Sequence, residues 1–135
     1  MTFRTVLVAN RGEIADRVFR TCNELEIATV GIYVAGDTAH LDPADQVREV
    51  PSYLDAVAII AAAVETGAEA IHPGYGFLSE NAQFAKAVTD AGLVFVGPTA
   101  DVIELMGRKD RAREVAERAG VPIMPRSEPE AVPAA

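Results

Sequence analysis

Cysteine is almost absent from the chain: its 135 residues include one, Cys22. A single cysteine cannot form an internal disulfide, so the sequence excludes a small secreted fold held together by disulfide bonds. Cys22 falls on the apolar face of a predicted helix, where it is expected to pack as a small hydrophobic side chain. A reducing cytoplasm is therefore the expected compartment.

Positive charge is also scarce. Twelve Lys and Arg residues stand against 20 Asp and Glu, for a formal net charge of -8. Such a surface repels phosphate backbones and anionic lipids, so no nucleic-acid or membrane partner is expected. The most apolar run, Ala56 to Val64, lies between Asp55 and Glu65 and is too short to span a bilayer. With no charged-then-apolar pattern at residues 1–4, no secretion signal is expected.

Several motifs of well-known chemistry are missing. The chain has no G-x-x-x-x-G-K-[ST] phosphate loop and no three-glycine dinucleotide fingerprint, which disfavours an independent dinucleotide-binding domain. It also lacks a Ser/His/Asp set and metal-ligand spacing, and its two histidines are His40 and His72. We therefore expect no catalytic residue and no metal ligand in this chain.

What the chain does contain is an alternation of strand and helix patterns. Short apolar runs predict strands, and apolar residues at helical spacing predict helices between them. Asn10 followed by Glu13 resembles a capping box, with Asn10 as the N-cap of the first helix. The alternation predicts an α/β fold with a doubly wound, mainly parallel open sheet and helices on both faces. The predicted strands are 5–9, 29–34, 46–50, 70–72 and 94–97, and the predicted helices are 12–25, 55–66, 81–91, 101–106 and 109–119.

Ligands of such sheets bind beyond the carboxyl ends of the strands, which directs attention to three segments. Residues 10–13 could bind an anion at a helix start, although a simple cap with a solvated Arg11 is the plainer interpretation. Residues 72–76 carry two glycines around Tyr75. They predict either a ligand loop with an exposed ring or a tight connection whose ring packs inward. Lys109 could reach a phosphate or simply be solvated. The residues alone support a ligand-binding α/β domain.

Longer motifs at these segments resemble the biotin carboxylases, including those parts of acetyl-CoA, propionyl-CoA and pyruvate carboxylases. The matching segments, in family order, are V-L-V-A-N-R-G-E-I-A (Val6 to Ala15), S-Y-L-D (Ser52 to Asp55), A-I-H-P-G-Y-G-F-L-S-E-N (Ala70 to Asn81), V-G-P (Val96 to Pro98), E-L-M-G-R-K (Glu104 to Lys109) and A-G-V-P (Ala119 to Pro122). The resemblance implies that residues 1–125 form the N-terminal domain that precedes an ATP-grasp domain. Residues 126–135 are then a linker or a truncated tail.

The resemblance also implies an activity. Biotin carboxylases use ATP, Mg²⁺ and bicarbonate to form carboxyphosphate and then carboxylate biotin that is attached to a carrier. By this likeness Lys109 contacts the nucleotide, and Tyr75 and Gly76 face the biotin and bicarbonate. Arg20 and Glu24 match positions near a homodimer contact in the family. The alternative interpretation is that the two side chains, which carry opposite charges, form an exposed pair within the helix.

The family's main ATP and Mg²⁺ ligands lie beyond the matched segments. The resemblance therefore implies partners: the ATP-grasp and C-terminal parts of the same enzyme, and the biotin carrier and carboxyltransferase components. The chain alone is expected to be inactive, and the final carboxyl acceptor is not encoded in it. A stand-alone, non-catalytic binding or assembly module derived from this domain is the alternative.

Overall fold

The computed structural model describes residues 3–106, and five strands within them form one parallel sheet. The strands are β1 (Thr5–Val8), β2 (Ala28–Tyr33), β3 (Gln46–Glu49), β4 (Ala70–His72) and β5 (Val94–Phe95). The helices are α1 (Gly12–Glu24), α2 (Ala56–Thr66) and α3 (Ala82–Asp90), and residues 100–106 are also helical. The strand order is β3-β2-β1-β4-β5, and every neighbouring pair is parallel.

Two hydrophobic clusters show that helices cover both faces of the sheet. Leu7 and Val8 are consecutive in β1, so their side chains point to opposite faces. Leu7 belongs to the larger cluster, which includes residues of α2 and α3, whereas Val8 packs in a smaller cluster with Ala15 and Phe19 of α1. The predicted doubly wound architecture is confirmed.

The ends of α2 follow directly from its sequence. The Asp55 side chain accepts a hydrogen bond from the Ala58 backbone N–H at 3.0 Å, which satisfies a donor at the start of the helix. Gly67 ends the helix with φ +77°, a left-handed conformation that costs glycine little. Both ends lie within one residue of the predicted bounds.

The predicted cap of α1 is wrong. The N-cap is Arg11, and no side chain makes a capping hydrogen bond there. Asn10 lies one residue too early, and its side-chain amide binds the segment after β4 instead. β5 is also shorter than the predicted strand 94–97.

The chain divides into two units, Met1–Glu104 and Leu105–Ala135. The contacts described below all lie within the first unit. The predicted helix 109–119 and tail 126–135 fall outside the described residues. Among the described helices, none combines the length and apolar character that crossing a membrane requires.

Candidate functional site

The carboxyl ends of β1 and β4 meet at the centre of the sheet. Val8 is in register with His72, and the Ala9 backbone N–H donates to the His72 carbonyl at 2.8 Å. From β1 the chain first proceeds to β2 and β3 on one side and then returns to β4 on the other side. This reversal is the topological switch point, where open α/β sheets bind their ligands.

Asn10 joins the two strand ends. Its side chain is 1% exposed, and its Nδ2 donates to the Pro73 carbonyl at 2.9 Å and to the Tyr75 carbonyl at 2.8 Å. Its Oδ1 accepts from the Arg11 backbone N–H at 2.8 Å. The amide therefore satisfies three backbone groups from two segments that are distant in sequence. We call these three hydrogen bonds the Asn10 clamp.

The loop after β4 is shaped by left-handed residues. Gly74 and Gly76 have φ values of +65° and +71°, and Phe77, which is not glycine, has +47°. A Cβ at Gly74 would lie 2.6 Å from Asn10 Nδ2 and 2.9 Å from Ile14 Cγ2. Residue 74 must therefore be glycine for two reasons, its backbone conformation and the close approach of Asn10.

His72 contributes to the same loop. Its Nδ1 accepts a hydrogen bond from the Gly74 backbone N–H at 3.0 Å, which requires that nitrogen to be unprotonated. Burial lowers the pKa of His72, because desolvation disfavours the charged imidazolium. The neutral ring is thus the form that supports the loop.

Tyr75 and Gly76 form the exposed tip of this loop. Tyr75 is 52% exposed, which contradicts the interpretation that its ring packs inward. A Cβ built on Gly76 would meet no atom within 4 Å, so the backbone there faces open space. The tip offers a ligand a flat aromatic surface and an unobstructed main chain.

A second set of contacts supports the far end of the loop. Arg11 Nε and Nη2 bind Asp37 Oδ2 and Oδ1 at 2.5 and 2.9 Å, and the Tyr53 hydroxyl donates to Asp37 Oδ2 at 2.6 Å. The Tyr53 ring lies against Phe77, with ring centroids 5.3 Å apart. We call Arg11, Asp37, Tyr53 and Phe77 the Arg11 network.

Charges in the Arg11 network stabilise one another. The Arg11 guanidinium, followed by the Tyr53 hydroxyl, holds the pKa of Asp37 well below its usual range. Burial, together with the hydrogen bond to Asp37, raises the pKa of Tyr53. Arg11 is exposed, as expected, and about half of its side chain is accessible, but the guanidinium also forms a two-pronged ion pair with Asp37.

The remaining predicted site residues lie elsewhere. Arg20 and Glu24 are exposed on α1, but Arg20 Nε pairs with Asp16 Oδ2 at 2.8 Å, so the pair with Glu24 is not formed. Lys109 is outside the described residues. In residues 3–106, no group of three His, Cys, Asp or Glu side chains is arranged to bind a metal ion.

Sequence reasoning placed Asn10 in a candidate anion-binding segment but did not predict its hydrogen bonds to the loop. It did not single out Asp37, Tyr53 or Phe77 as site residues, although Tyr53 and Phe77 lie within the quoted motifs. Asp37 lies in the loop after β2, and no local spacing relates it to Arg11.

Comparison with known proteins gives a consistent result. The family model described as "Biotin carboxylase, N-terminal domain" matches residues 2–103. The 2-oxoglutarate carboxylase small subunit of Hydrogenobacter thermophilus is 52% identical over 133 residues, covering 93% of this chain and 28% of that protein. The biotin carboxylase of Pseudomonas aeruginosa is 53% identical over 131 residues, covering 91% of this chain and 29% of that protein.

Solved structures agree with the sequence matches. The biotin carboxylase domain of a thermophilic 2-oxoglutarate carboxylase, bound to bicarbonate, superposes with a TM-score of 0.81 at 51% identity over 94% of this chain and 30% of its own. A complete pyruvate carboxylase from Rhizobium etli superposes with a TM-score of 0.80 at 43% identity. The match covers 96% of this chain and 14% of the pyruvate carboxylase chain. The chain spans less than a third of the length of each of these relatives. It belongs to the family of biotin carboxylase N-terminal domains.

Proposed function

We propose that this chain acts as the N-terminal domain of a complete biotin carboxylase, which uses ATP and bicarbonate to carboxylate N1 of carrier-bound biotin. The observation that carries the proposal is the exposed Tyr75–Gly76 tip at the switch point of the sheet. Bicarbonate is present in the solved structure of a relative that is 51% identical. In the proposed enzyme this domain forms one wall of the active site.

The loop tip fits biotin as a substrate. Biotin presents a compact, uncharged ring system to its carboxylating site, and the Tyr75 ring provides an exposed apolar surface of matching kind. At Gly76 the absence of a side chain allows a ligand to reach the main-chain polar groups. Tyr75 and Gly76 are therefore our proposed substrate-binding residues.

ATP and Mg²⁺ are proposed to be bound mostly by parts of the enzyme beyond this domain. The described residues contain no group of carboxylates suited to a metal ion, and the net charge of -8 does not favour triphosphate. Lys109 is proposed to supply one cationic contact to the nucleotide, which the ATP Michaelis constant of Lys109→Ala would show. Magnesium, when bound, neutralises phosphate charge during phosphoryl transfer.

The partners follow from the same proposal. The ATP-grasp and C-terminal parts complete the active site, and a biotin carrier and a carboxyltransferase component deliver biotin and receive its carboxyl group. Arg20 and Glu24, exposed on α1, are proposed to lie at a homodimer contact; the H. thermophilus relative is described as a dimer of biotin carboxylase domains. An acyl-CoA acceptor, and with it a role in fatty acid synthesis in the cytoplasm, is our proposed cellular setting.

The test uses the complete enzyme that carries this chain. We expect bicarbonate-dependent ADP release and carboxylation of free biotin. Tyr75→Ala is expected to raise the biotin Michaelis constant about tenfold, equivalent to ~1.4 kcal/mol, whereas Tyr75→Phe keeps the ring and stays near wild type. Thermal melting of both variants serves as the control for folding. ADP release that does not respond to bicarbonate would reject the proposed function.

A further inference from the structure

We infer that Asn10 is a positioning residue for the biotin-facing loop: it holds the Tyr75–Gly76 backbone in the geometry that biotin carboxylation requires. This inference rests on the proposed function. It assigns a role to a residue that touches no substrate, because the Asn10 side chain is buried beneath the loop.

The hydrogen bonds of Asn10 are suited to this role. Its two N–H donors bind the carbonyls of Pro73 and Tyr75, which lie on either side of Gly74. These carbonyls are 63 and 65 residues away along the chain, so the contacts fix tertiary structure and not a local turn. The Arg11 backbone N–H, bound to Oδ1, sets the orientation of the amide. With that orientation set, both donors point at the loop.

The loop needs such support. Gly74, Gly76 and Phe77 all adopt positive φ, and for Phe77 this conformation is strained and persists only where its surroundings hold it. The Phe77 ring lies against Tyr53, which is bound to Asp37 and through it to Arg11. Asn10 and Arg11 are consecutive, and they support the near and far ends of the same loop. The exposed tip therefore lies between two supports that both originate at the end of β1.

Placement of the tip matters for catalysis. A misplacement of about 1 Å can lower the rate of a well-oriented reaction by about a hundredfold. Releasing the Asn10 clamp should therefore impair the step that uses biotin while leaving nucleotide binding, which lies mostly outside this domain in the proposed enzyme, intact.

The experiment compares Asn10→Asp with wild type in the complete enzyme. Aspartate has nearly the same shape and keeps an acceptor for the Arg11 N–H, but it replaces both donors to the loop with an acceptor. We expect kcat/KM for free biotin to fall between about 10-fold and 100-fold. The ATP Michaelis constant should stay within about twofold of the wild-type value. A general loss of structure would impair the use of both substrates, so it would not produce this difference.

Thr29→Val is the matched control. Thr29 is fully buried in β2, and its hydroxyl hydrogen-bonds with Asp45 at 3.3 Å, away from the loop. This nearly isosteric change removes two part-buried hydrogen bonds, one donated to Asp45 Oδ2 and one accepted from the Asp45 backbone N–H. It should lower the melting temperature as Asn10→Asp does, without changing the biotin kinetics.

Hydrogen exchange gives a readout that does not depend on activity. In wild type the Gly74 N–H is bound to His72 and the Ser79 N–H to the Gly76 carbonyl. We expect exchange in this segment to accelerate about tenfold or more in Asn10→Asp and to stay unchanged in Thr29→Val. Should Asn10→Asp fail to fold, Asn10→Ala serves instead, because it removes both donors to the loop without introducing a buried charge.

The outcomes separate the two proposals. A wild-type enzyme that does not carboxylate biotin refutes the proposed function, and the exchange experiment then decides alone whether Asn10 holds the loop. Normal biotin kinetics together with unchanged exchange in a folded Asn10→Asp enzyme would overturn the inference. If the ATP Michaelis constant changed by the same factor as kcat/KM for biotin, the role of Asn10 would be merely structural. That result would overturn the inference as well.

Discussion

Asp37 shows how a loop carboxylate becomes part of a site by binding other side chains. It accepts hydrogen bonds from Arg11 and Tyr53, and both stabilise its charged form. The pKa of Asp37 is therefore held below the ordinary aspartate value, and the ionised form is required for the Arg11 network.

This lowered pKa predicts a pH-dependent stability. A carboxylate with a depressed pKa in the folded state stabilises the fold above its unfolded value, about 3.9, and that contribution is lost as the pH falls towards the folded value. We expect Asp37→Asn to lower the unfolding free energy near about pH 6 and the difference from wild type to shrink steadily below about pH 4. Urea unfolding of both proteins across this pH range measures it. A difference that stays constant with pH would show that the charge of Asp37 contributes nothing.

Individual residues also show which parts of the site can be predicted from the sequence and which cannot. Tyr75 and Gly76 stand out locally, since glycines flank an aromatic ring after a buried strand. The sequence predicts Asn10 as the cap of a capping box, because asparagine with a glutamate three residues later commonly forms one. A sequence pattern indicates only which hydrogen bonds are possible with nearby residues. In the structure the Asn10 amide instead donates to two carbonyls of a loop that is distant in sequence.

Among the elements, α2 is a helix whose start and stop the sequence predicts to within one residue, as it also does for α3. Asp55 and Gly67 bracket a run of mainly Ala, Val and Ile residues, and both residues act through local backbone chemistry. The positions of β1, β2 and β4 are equally accessible because these strands are short, mainly apolar runs, whereas the edge strand β3 is mostly polar. The pairing that creates the site, β1 beside β4, follows from topology and has no local counterpart in sequence.

The Asp55 cap leads to a prediction for α2. Asp55→Ala removes the acceptor for the Ala58 N–H and should cost about 1 kcal/mol of unfolding free energy. The exposed Asp42 offers a control of the same charge, and Asp42→Ala should change stability by less than about 0.5 kcal/mol. Denaturant unfolding of the two variants provides the comparison. Equal losses would mean that removal of charge, and not of the cap, is responsible.

At the scale of the whole molecule, this chain holds one wall of the proposed active site. In the proposed enzyme the ligands for phosphate and metal lie in other parts, and such groups supply most of the transition-state stabilisation in phosphoryl transfer. We therefore expect the isolated chain neither to hydrolyse ATP in a bicarbonate-dependent manner nor to carboxylate free biotin. Purified chain assayed for ADP release with and without bicarbonate tests this. Stimulation by bicarbonate would show that the chain is catalytically sufficient.

The two edges of the described sheet bear on how such an enzyme is made. β3 carries Gln46, Arg48 and Glu49, with Arg48 paired to Glu65 at 2.8 Å, and β5 is only two residues long. Charged or very short edge strands are poor templates for added strands. During synthesis, N-terminal domains emerge from the ribosome and fold first. In the proposed full-length carboxylase, both sheet edges of this domain are thus protected before the later domains are synthesised, so neighbouring nascent chains cannot readily join them by strand addition.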